Sequence, residues 1–148
     1  MVPDPISILL ADDDKDDCLL FQDALEELPL QTHLSVVNNG EQLMTYLHKE
    51  KETPTVLFLD LNMPRKSGLE CLAEIRRIQK LKNIPVVIFS TSGSEIAIEK
   101  TYTLGATYFI CKPRSYGLLK KAIETILSFD SGLLAQQPPK EEYFLQFA

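Results

Sequence analysis

Short apolar stretches alternate along the chain with segments whose apolar residues recur every three or four positions. The apolar stretches predict five strands, at residues 6–11, 34–37, 55–59, 85–89 and 107–111. The periodic segments predict five helices, at 16–28, around Leu43 and Leu47, around Leu72, Ile75 and Ile78, at 96–104 and at 116–127. Pro29 and Gly105 follow two of these helices, as is typical of residues just beyond a helix end.

This strict alternation of strand and helix predicts the fold class. Strands that alternate with helices form a parallel sheet covered on both faces, and near-continuous apolar strands fit burial on both sides. The stretch at 34–37 is more polar, as expected of an edge strand. We therefore predict a doubly wound α/β fold, flavodoxin-like, whose five-stranded parallel sheet has the order 2-1-3-4-5.

The length of 148 residues suits one domain, which we place at residues 1–129. Residues 130–148 lose the pattern and are predicted to form a C-terminal tail with no output domain, and 136–140 reads as a loose segment. The aromatic residues Tyr143, Phe144 and Phe147 leave two interpretations open. They belong either to a disordered end, or to a segment that packs on the domain or across a dimer.

Composition and charge exclude several classes of function. The net charge is −6, with no basic stripe, which argues against nucleic-acid binding. No apolar run reaches the length of a membrane span, and the first residues lack the features of a secretory signal. The three cysteines are scattered, as in reduced thiols. We therefore expect a cytoplasmic protein whose partners are proteins or small ions.

Polar residues follow four of the predicted strands at the point where each strand ends. They are Asp12 and Asp13 after the first strand, Asp60 after the third, Ser90 after the fourth and Lys112 after the fifth. In open α/β sheets, ligands bind beyond the carboxyl ends of the strands near the switch in strand order. The strand ends therefore predict one site containing three carboxylates, a hydroxyl and an ammonium.

These groups have a chemistry in common. Converging carboxylates repel one another unless a cation is present, and Mg²⁺ takes carboxylate, water and phosphate oxygens as ligands. A hydroxyl and an ammonium nearby can hold the oxygens of a transferred phosphoryl group, with a carboxylate as the nucleophile. By contrast, Asp14, Asp16 and Asp17 are interpreted as helix caps and dipole partners.

The motifs resemble those of the response-regulator receiver domains of two-component signalling, CheY-like proteins. The resemblance covers about residues 6–128 and rests on Asp12-Asp13 after an apolar strand, Asp60-Leu61-Asn62-Met63-Pro64 with Gly68, Ser90, and Lys112-Pro113. It implies that Asp60 is the phosphoacceptor and that Asp12, Asp13, Asp60 and the main-chain carbonyl of Asn62 bind Mg²⁺. It also implies that Ser90 and Lys112 contact the phosphoryl group, and that the bond before Pro113 is cis.

The same resemblance implies partners and a switch. A sensor histidine kinase or phosphotransfer protein would phosphorylate Asp60, and a downstream target protein would dock on the face of helix 4, strand 5 and helix 5. That face could also support a homodimer. Ser90 and Phe109 would be the switch residues, although Phe109 occupies a position often held by tyrosine. The protein would not be an enzyme beyond its own phosphorylation and dephosphorylation.

Alternatives from other classes remain at this point. The first is a binding module with the same fold that works without phosphorylation. The second is a phosphatase with an aspartate nucleophile, but Asn62 stands where the acid–base aspartate would be needed and Asp60 follows the third strand instead of the first. A nucleotide-binding loop is absent from the sequence. His33 and His48 lack neighbours at zinc-ligand spacing.

Overall fold

The structure is a computed structural model that describes residues 5–129 and 134–147. The strands are β1 (Ile6–Ala11), β2 (Thr32–Val37), β3 (Val56–Leu59), β4 (Val86–Ser90), β5 (Tyr108–Cys111) and β6 (Phe144–Leu145). The helices are α1 (Lys15–Glu26), α2 (Gly40–Lys49), α3 (Gly68–Arg77), α4 (Glu95–Thr103), α5 (Tyr116–Ser128) and α6 (Lys140–Tyr143). The predicted five strands and five helices are all present, and β2 begins two residues earlier than the apolar pattern indicates.

The sheet is parallel, with the order β2-β1-β3-β4-β5-β6. The doubly wound α/β fold and the order 2-1-3-4-5 are confirmed. The prediction of five strands is wrong by one, because β6 pairs with the outer edge of β5, Phe109 opposite Phe144. A strand of two residues is too short for a periodic pattern to indicate it.

The helices begin where polar side chains replace backbone acceptors. The side chain of the residue before each of α1 to α5 accepts a hydrogen bond from a backbone N–H in the first turn; these residues are Asp14, Asn39, Ser67, Ser94 and Ser115. Each bond satisfies an N–H that has no partner within the helix. The predicted capping role is therefore confirmed for Asp14, while Asp16 and Asp17 lie in the first turn of α1.

Alternating residues of the central strands point into two separate apolar cores. One face of the sheet carries Leu9, Leu57, Ile88 and Phe109 toward α2, α3 and α4, and the other carries Leu10, Phe58, Phe89 and Ile110 toward α1 and α5. On the second face the rings of Phe21, Phe58 and Phe89 meet edge to face, with centroids 5.0–6.0 Å apart. These packed cores hold the carboxyl ends of the strands in fixed positions.

The segment 134–147 packs on the domain, so the prediction of a loose segment at 136–140 is wrong. The side chain of Gln137 donates to the carbonyl oxygens of Tyr102 and Ala106, each at 2.7 Å. Tyr143 is fully buried against α4 and β5, and Leu145 joins the core under α5. Of the two interpretations of the aromatic end, packing on the domain is the one that the structure supports. Among the helices of the described residues, none has both the length and the apolar character of a membrane span.

Candidate functional site

The site begins at the carboxyl ends of β1 and β3, which are neighbours in the sheet. Ala11 pairs with Leu59 at the last register position of both strands, so Asp12 and Asp60 leave the sheet side by side. The backbone N–H of Asp60 donates to the carbonyl oxygen of Ala11 at 3.0 Å, which fixes their spacing. The convergence predicted from the strand ends therefore follows from the register itself.

Three carboxylates meet at this edge. Asp12, Asp13 and Asp60 each offer a carboxylate oxygen, and the three oxygens lie within 4.8 Å of one another. Asp12 and Asp60 are buried, with 1% and 6% of their surface exposed, whereas Asp13 is exposed. Oxygen ligands with two or three negative charges fit a hard divalent cation. The donor set of this chain is therefore suited to a metal such as Mg²⁺.

Burial dominates the electrostatics of Asp12. Burial, with a smaller contribution from the charge of Asp60, raises the pKa of the Asp12 carboxyl to about 6, although hydrogen bonds with Lys112 and the backbone N–H of Asp14 and the charge of Lys112 act in the opposite direction. A cation at the site would reverse this balance, because it favours the ionised carboxylate.

Lys112 brings the positive charge of the site. It follows β5, and its Nζ lies 2.6 Å from Asp12, 2.9 Å from Asp17 and 3.3 Å from a carboxylate oxygen of Asp60. The ammonium also lies over the ring of Phe89, 5.9 Å from its centroid. Burial would lower the pKa of Lys112, but the hydrogen bonds with Asp12 and Asp17 and the charge of Asp60 raise it above its ordinary value. The lysine is therefore a fixed cation within the carboxylate cluster.

The bond between Lys112 and Pro113 is trans, since no peptide bond among the described residues is cis. The expected cis bond is therefore wrong. Lys112 reaches the carboxylates without it, because its backbone N–H donates to the carbonyl oxygen of Ser90 at 2.8 Å and continues the β4–β5 ladder up to the site.

Ser90 and Asn62 lie beside the cluster. Ser90 ends β4 and is fully buried, and its Oγ accepts from the backbone N–H of Ser92 at 3.4 Å. The backbone N–H of Asn62 donates to Asp60 Oδ1 at 3.3 Å, and the Asn62 side chain is exposed. Gly68, at the start of α3, approaches so closely that a Cβ there would be 2.3 Å from the carbonyl oxygen of Asp60. Asn62 therefore contacts the side chain of Asp60, and Gly68 lies close to its backbone carbonyl.

Phe109, the other predicted switch residue, lies on β5 among aromatic residues of the C-terminal segment. Its ring centroid is 5.7 Å from that of Phe144 and 6.3 Å from that of Tyr143. Phe109 pairs with Ile88 on β4, two residues before Ser90. The two predicted switch positions therefore belong to adjacent strands, and Phe109 also contacts the segment 134–147.

Sequence reasoning missed Asp17. It was interpreted as a cap or dipole partner, and it does lie in the first turn of α1, but its carboxylate accepts from Lys112. Asp17 and Lys112 are 95 residues apart. No spacing or motif of a single sequence indicates such a pair, because the contact depends on where the first turn of α1 lies relative to the end of β5.

Comparison with known proteins gives the same family at the level of sequence. The response regulator receiver domain family matches residues 8–124. The response regulator Rcp1 of Synechocystis sp. is 35% identical over 130 residues, which are 84% of this chain and 88% of Rcp1. The probable methanogenesis regulatory protein FilR2 of Methanothrix harundinacea is 30% identical over 130 residues, 85% of this chain and 84% of FilR2.

Solved structures agree. The phosphorylated cyanobacterial phytochrome response regulator RcpA superposes with a TM-score of 0.79 at 35% identity, covering 85% of this chain and 94% of RcpA. The Mn²⁺-bound form of Rcp1 superposes with a TM-score of 0.76 at 35% identity, covering 84% of this chain and 94% of that chain. With its strand order, its cluster of acidic residues and these matches, the chain belongs to the family of response regulator receiver domains of two-component signalling.

Proposed function

We propose that the protein accepts a phosphoryl group on Asp60 and signals through phosphorylation-dependent docking of a target protein. The observation that supports this most strongly is the position of Asp60. Its carboxylate lies within 4.8 Å of those of Asp12 and Asp13 and 3.3 Å from Lys112 Nζ. An anionic nucleophile next to an ammonium and a cation-binding cluster is the arrangement that phosphoryl transfer to a carboxylate requires.

Asp12, Asp13, Asp60 and the main-chain carbonyl of Asn62 would hold the metal, which we propose to be Mg²⁺. Rcp1, a relative, has been crystallised with Mn²⁺, and the carboxylate oxygens of the acidic cluster of this chain are hard ligands that suit a divalent cation. When bound, the ion supplies positive charge that offsets the negative charge of the carboxylates and the phosphoryl oxygens.

The donor would be a phosphohistidine of a sensor histidine kinase or phosphotransfer protein. An oxygen of Asp60 attacks the phosphorus, the P–N bond breaks, and its electron pair stays on the imidazole nitrogen. Lys112 then pairs with a phosphoryl oxygen, and the Ser90 hydroxyl donates to another. Hydrolysis of the aspartyl phosphate returns Asp60, so the only reactions catalysed are those of the protein's own phosphoryl group.

Output would pass through Ser90 and Phe109. The added charge and acceptor oxygens draw Ser90 toward Asp60, and Phe109 occupies the space that Ser90 leaves. Phe109 contacts Tyr143 and Phe144, so its movement would change the packing of the segment 134–147. A target protein at the face of α4, β5 and α5 would meet this segment, because β6 lies on the edge of β5. A homodimer through the same face stays a prediction.

Intact mass after incubation with acetyl phosphate and Mg²⁺ tests the proposal. The wild type and an Asp23→Asn control, whose substituted side chain is exposed on α1, should each gain one phosphoryl group in a metal-dependent manner. Asp60→Asn should gain none. If the wild type gains no phosphoryl group and also fails to bind beryllofluoride, the proposal is wrong and a binding module that works without phosphorylation takes its place.

A further inference from the structure

Asp17 contacts Lys112 of the site, although no metal or phosphoryl role has been given to it. It is the third residue of α1, three positions after the N-cap Asp14. A carboxylate at this position can accept a hydrogen bond from the backbone N–H of the N-cap residue. Here that N–H donates instead to Asp12 Oδ1, at 3.0 Å. The carboxylate of Asp17 is therefore turned to another donor, the ammonium of Lys112.

Lys112 is fully engaged before any phosphoryl group arrives. An ammonium has three N–H donors, and Nζ has three carboxylate neighbours, Asp12 at 2.6 Å, Asp17 at 2.9 Å and Asp60 at 3.3 Å. The Lys112 side chain is only 9% exposed, so solvent screens these contacts little. The contact with the proposed phosphoacceptor is the longest of the three.

We propose that Asp17 is a positioning residue that restrains Lys112 and thereby weakens its pairing with a phosphoryl group on Asp60. Asp12 and Asp60 are proposed metal ligands, whereas Asp17 stands outside the carboxylate cluster that could hold the ion. Its charge therefore stays with the lysine when the other carboxylates face a cation. A phosphoryl group brings further negative charge, and Asp17 both competes for Lys112 and repels the new oxygens. This inference rests on the proposed function of Asp60.

Affinity for beryllofluoride, an anionic mimic of the phosphoryl group, tests the inference without turnover. Asp17→Asn removes the charge and keeps the shape. Asp16→Asn makes the same change one residue earlier, at an exposed side chain of the same helix turn. In NMR titrations at saturating Mg²⁺, Asp17→Asn should bind beryllofluoride about threefold to tenfold more tightly than the wild type. Asp16→Asn should stay within about twofold.

The outcomes separate positioning from a structural role. Damage to the fold would weaken the binding of the mimic, whereas release of Lys112 tightens it. Unchanged or weaker binding by an Asp17→Asn variant that folds, or an equal gain in Asp16→Asn, would overturn the inference while leaving the proposed function intact, provided that the wild type binds and Asp60→Asn does not. Failure of the wild type to bind would overturn both.

A measurement on the wild type covers the case in which Asp17→Asn does not fold. With ¹⁵N-labelled lysine, the ammonium of Lys112 (assigned by its loss in Lys112→Arg) should give a signal protected from solvent exchange. It should also show a coupling across the hydrogen bond to the carboxylate carbon of Asp17. Where Asp17→Asn folds, this signal should shift, and in Asp16→Asn it should not. Absence of the coupling in the wild type would overturn the inference.

Discussion

Tyr143 anchors the C-terminal segment and offers a direct measure of how far that segment belongs to the fold. Its side chain is fully buried, and its ring centroid lies 5.0 Å from Tyr102 and 6.3 Å from Phe109. Its hydroxyl donates to Oγ1 of Thr101 at 2.6 Å, and that hydroxyl in turn donates to the carbonyl oxygen of Ala97 at 2.8 Å. We expect Tyr143→Ala to destabilise the protein and to detach the segment.

The magnitude follows from what each substitution removes. Tyr143→Phe removes one buried hydrogen bond and should cost about 0.5–1.5 kcal/mol. Tyr143→Ala also removes the buried ring and should cost about 3–5 kcal/mol, as for other large aromatic residues in a core. The segment can detach while the rest of the domain stays folded. The loss in Tyr143→Ala therefore cannot exceed the free energy with which residues 134–147 dock.

Urea unfolding followed by far-UV circular dichroism gives these free energies, since the chain contains no tryptophan to report by fluorescence. A truncation after Phe129 should lose at least as much stability as Tyr143→Ala. Tyr116→Ala is the matched control, because this tyrosine is 38% exposed on α5, and its cost should stay below about 1 kcal/mol. A loss of less than 1 kcal/mol in Tyr143→Ala would refute the reasoning, because the segment would then add little to the fold.

The same hydroxyl should make the free energy of unfolding fall at high pH. Burial raises the pKa of the Tyr143 hydroxyl above its usual value of 10.0. The stabilising contribution is therefore complete below pH 10, where the unfolded tyrosine is also neutral, and it is lost as the pH rises above 10. The wild type should lose up to about 1.4 kcal/mol per pH unit more than Tyr143→Phe in this range. Equal slopes for the two proteins in urea unfolding between pH 9 and pH 11 would contradict the burial of the hydroxyl.

Two further predictions concern the site. Gly68→Ala should cost about 1–3 kcal/mol and slow phosphorylation from acetyl phosphate, because its Cβ would be 2.3 Å from the carbonyl oxygen of Asp60. Gly117→Ala, where a Cβ meets nothing within 4 Å, should instead stabilise α5 by about 0.5–1 kcal/mol; equal effects in urea unfolding would contradict this. Lys112→Met should lose about 3–5 kcal/mol in EDTA, because it leaves buried carboxylates uncompensated, and clearly less in Mg²⁺. The exposed control Lys121→Met should change the free energy of unfolding little in either buffer. An equal loss of stability in Lys112→Met with and without Mg²⁺ would contradict this charge argument.

Most of the sheet and the carboxylate cluster of the site were predicted from local patterns. The strands β1, β3, β4 and β5 are near-continuous apolar runs because helices cover both faces of the sheet. Once their order is known, the rule for the carboxyl ends of parallel strands brings Asp12, Asp13 and Asp60 together. These predictions succeeded because each depends on one strand and its immediate end.

The features that were missed depend on contacts between distant segments. Phe144 and Leu145 form a strand because the edge of β5 offers unpaired backbone groups, and neither residue carries a periodic pattern. Tyr143 is buried because α4 and β5 leave room for its ring and Thr101 Oγ1 accepts a hydrogen bond from its hydroxyl. A composition rich in glutamine and proline at 136–140 indicated a loose segment, and tertiary hydrogen bonds from Gln137 overcame that tendency.

The ion pairs of the site also depend on contacts between distant segments, and they matter for function. The sequence shows several acidic residues near one predicted strand end and a single lysine near another, but it does not tell which anions the lysine will contact. In the structure the nearest are Asp12 and Asp17, and Asp60 lies farther away. Phosphoryl transfer depends mostly on such placement of charge. If Asp17 restrains Lys112 as proposed, a residue in the first turn of α1 changes how strongly Lys112 pairs with a phosphoryl group on Asp60, although it belongs to none of the motifs on which the family resemblance rests.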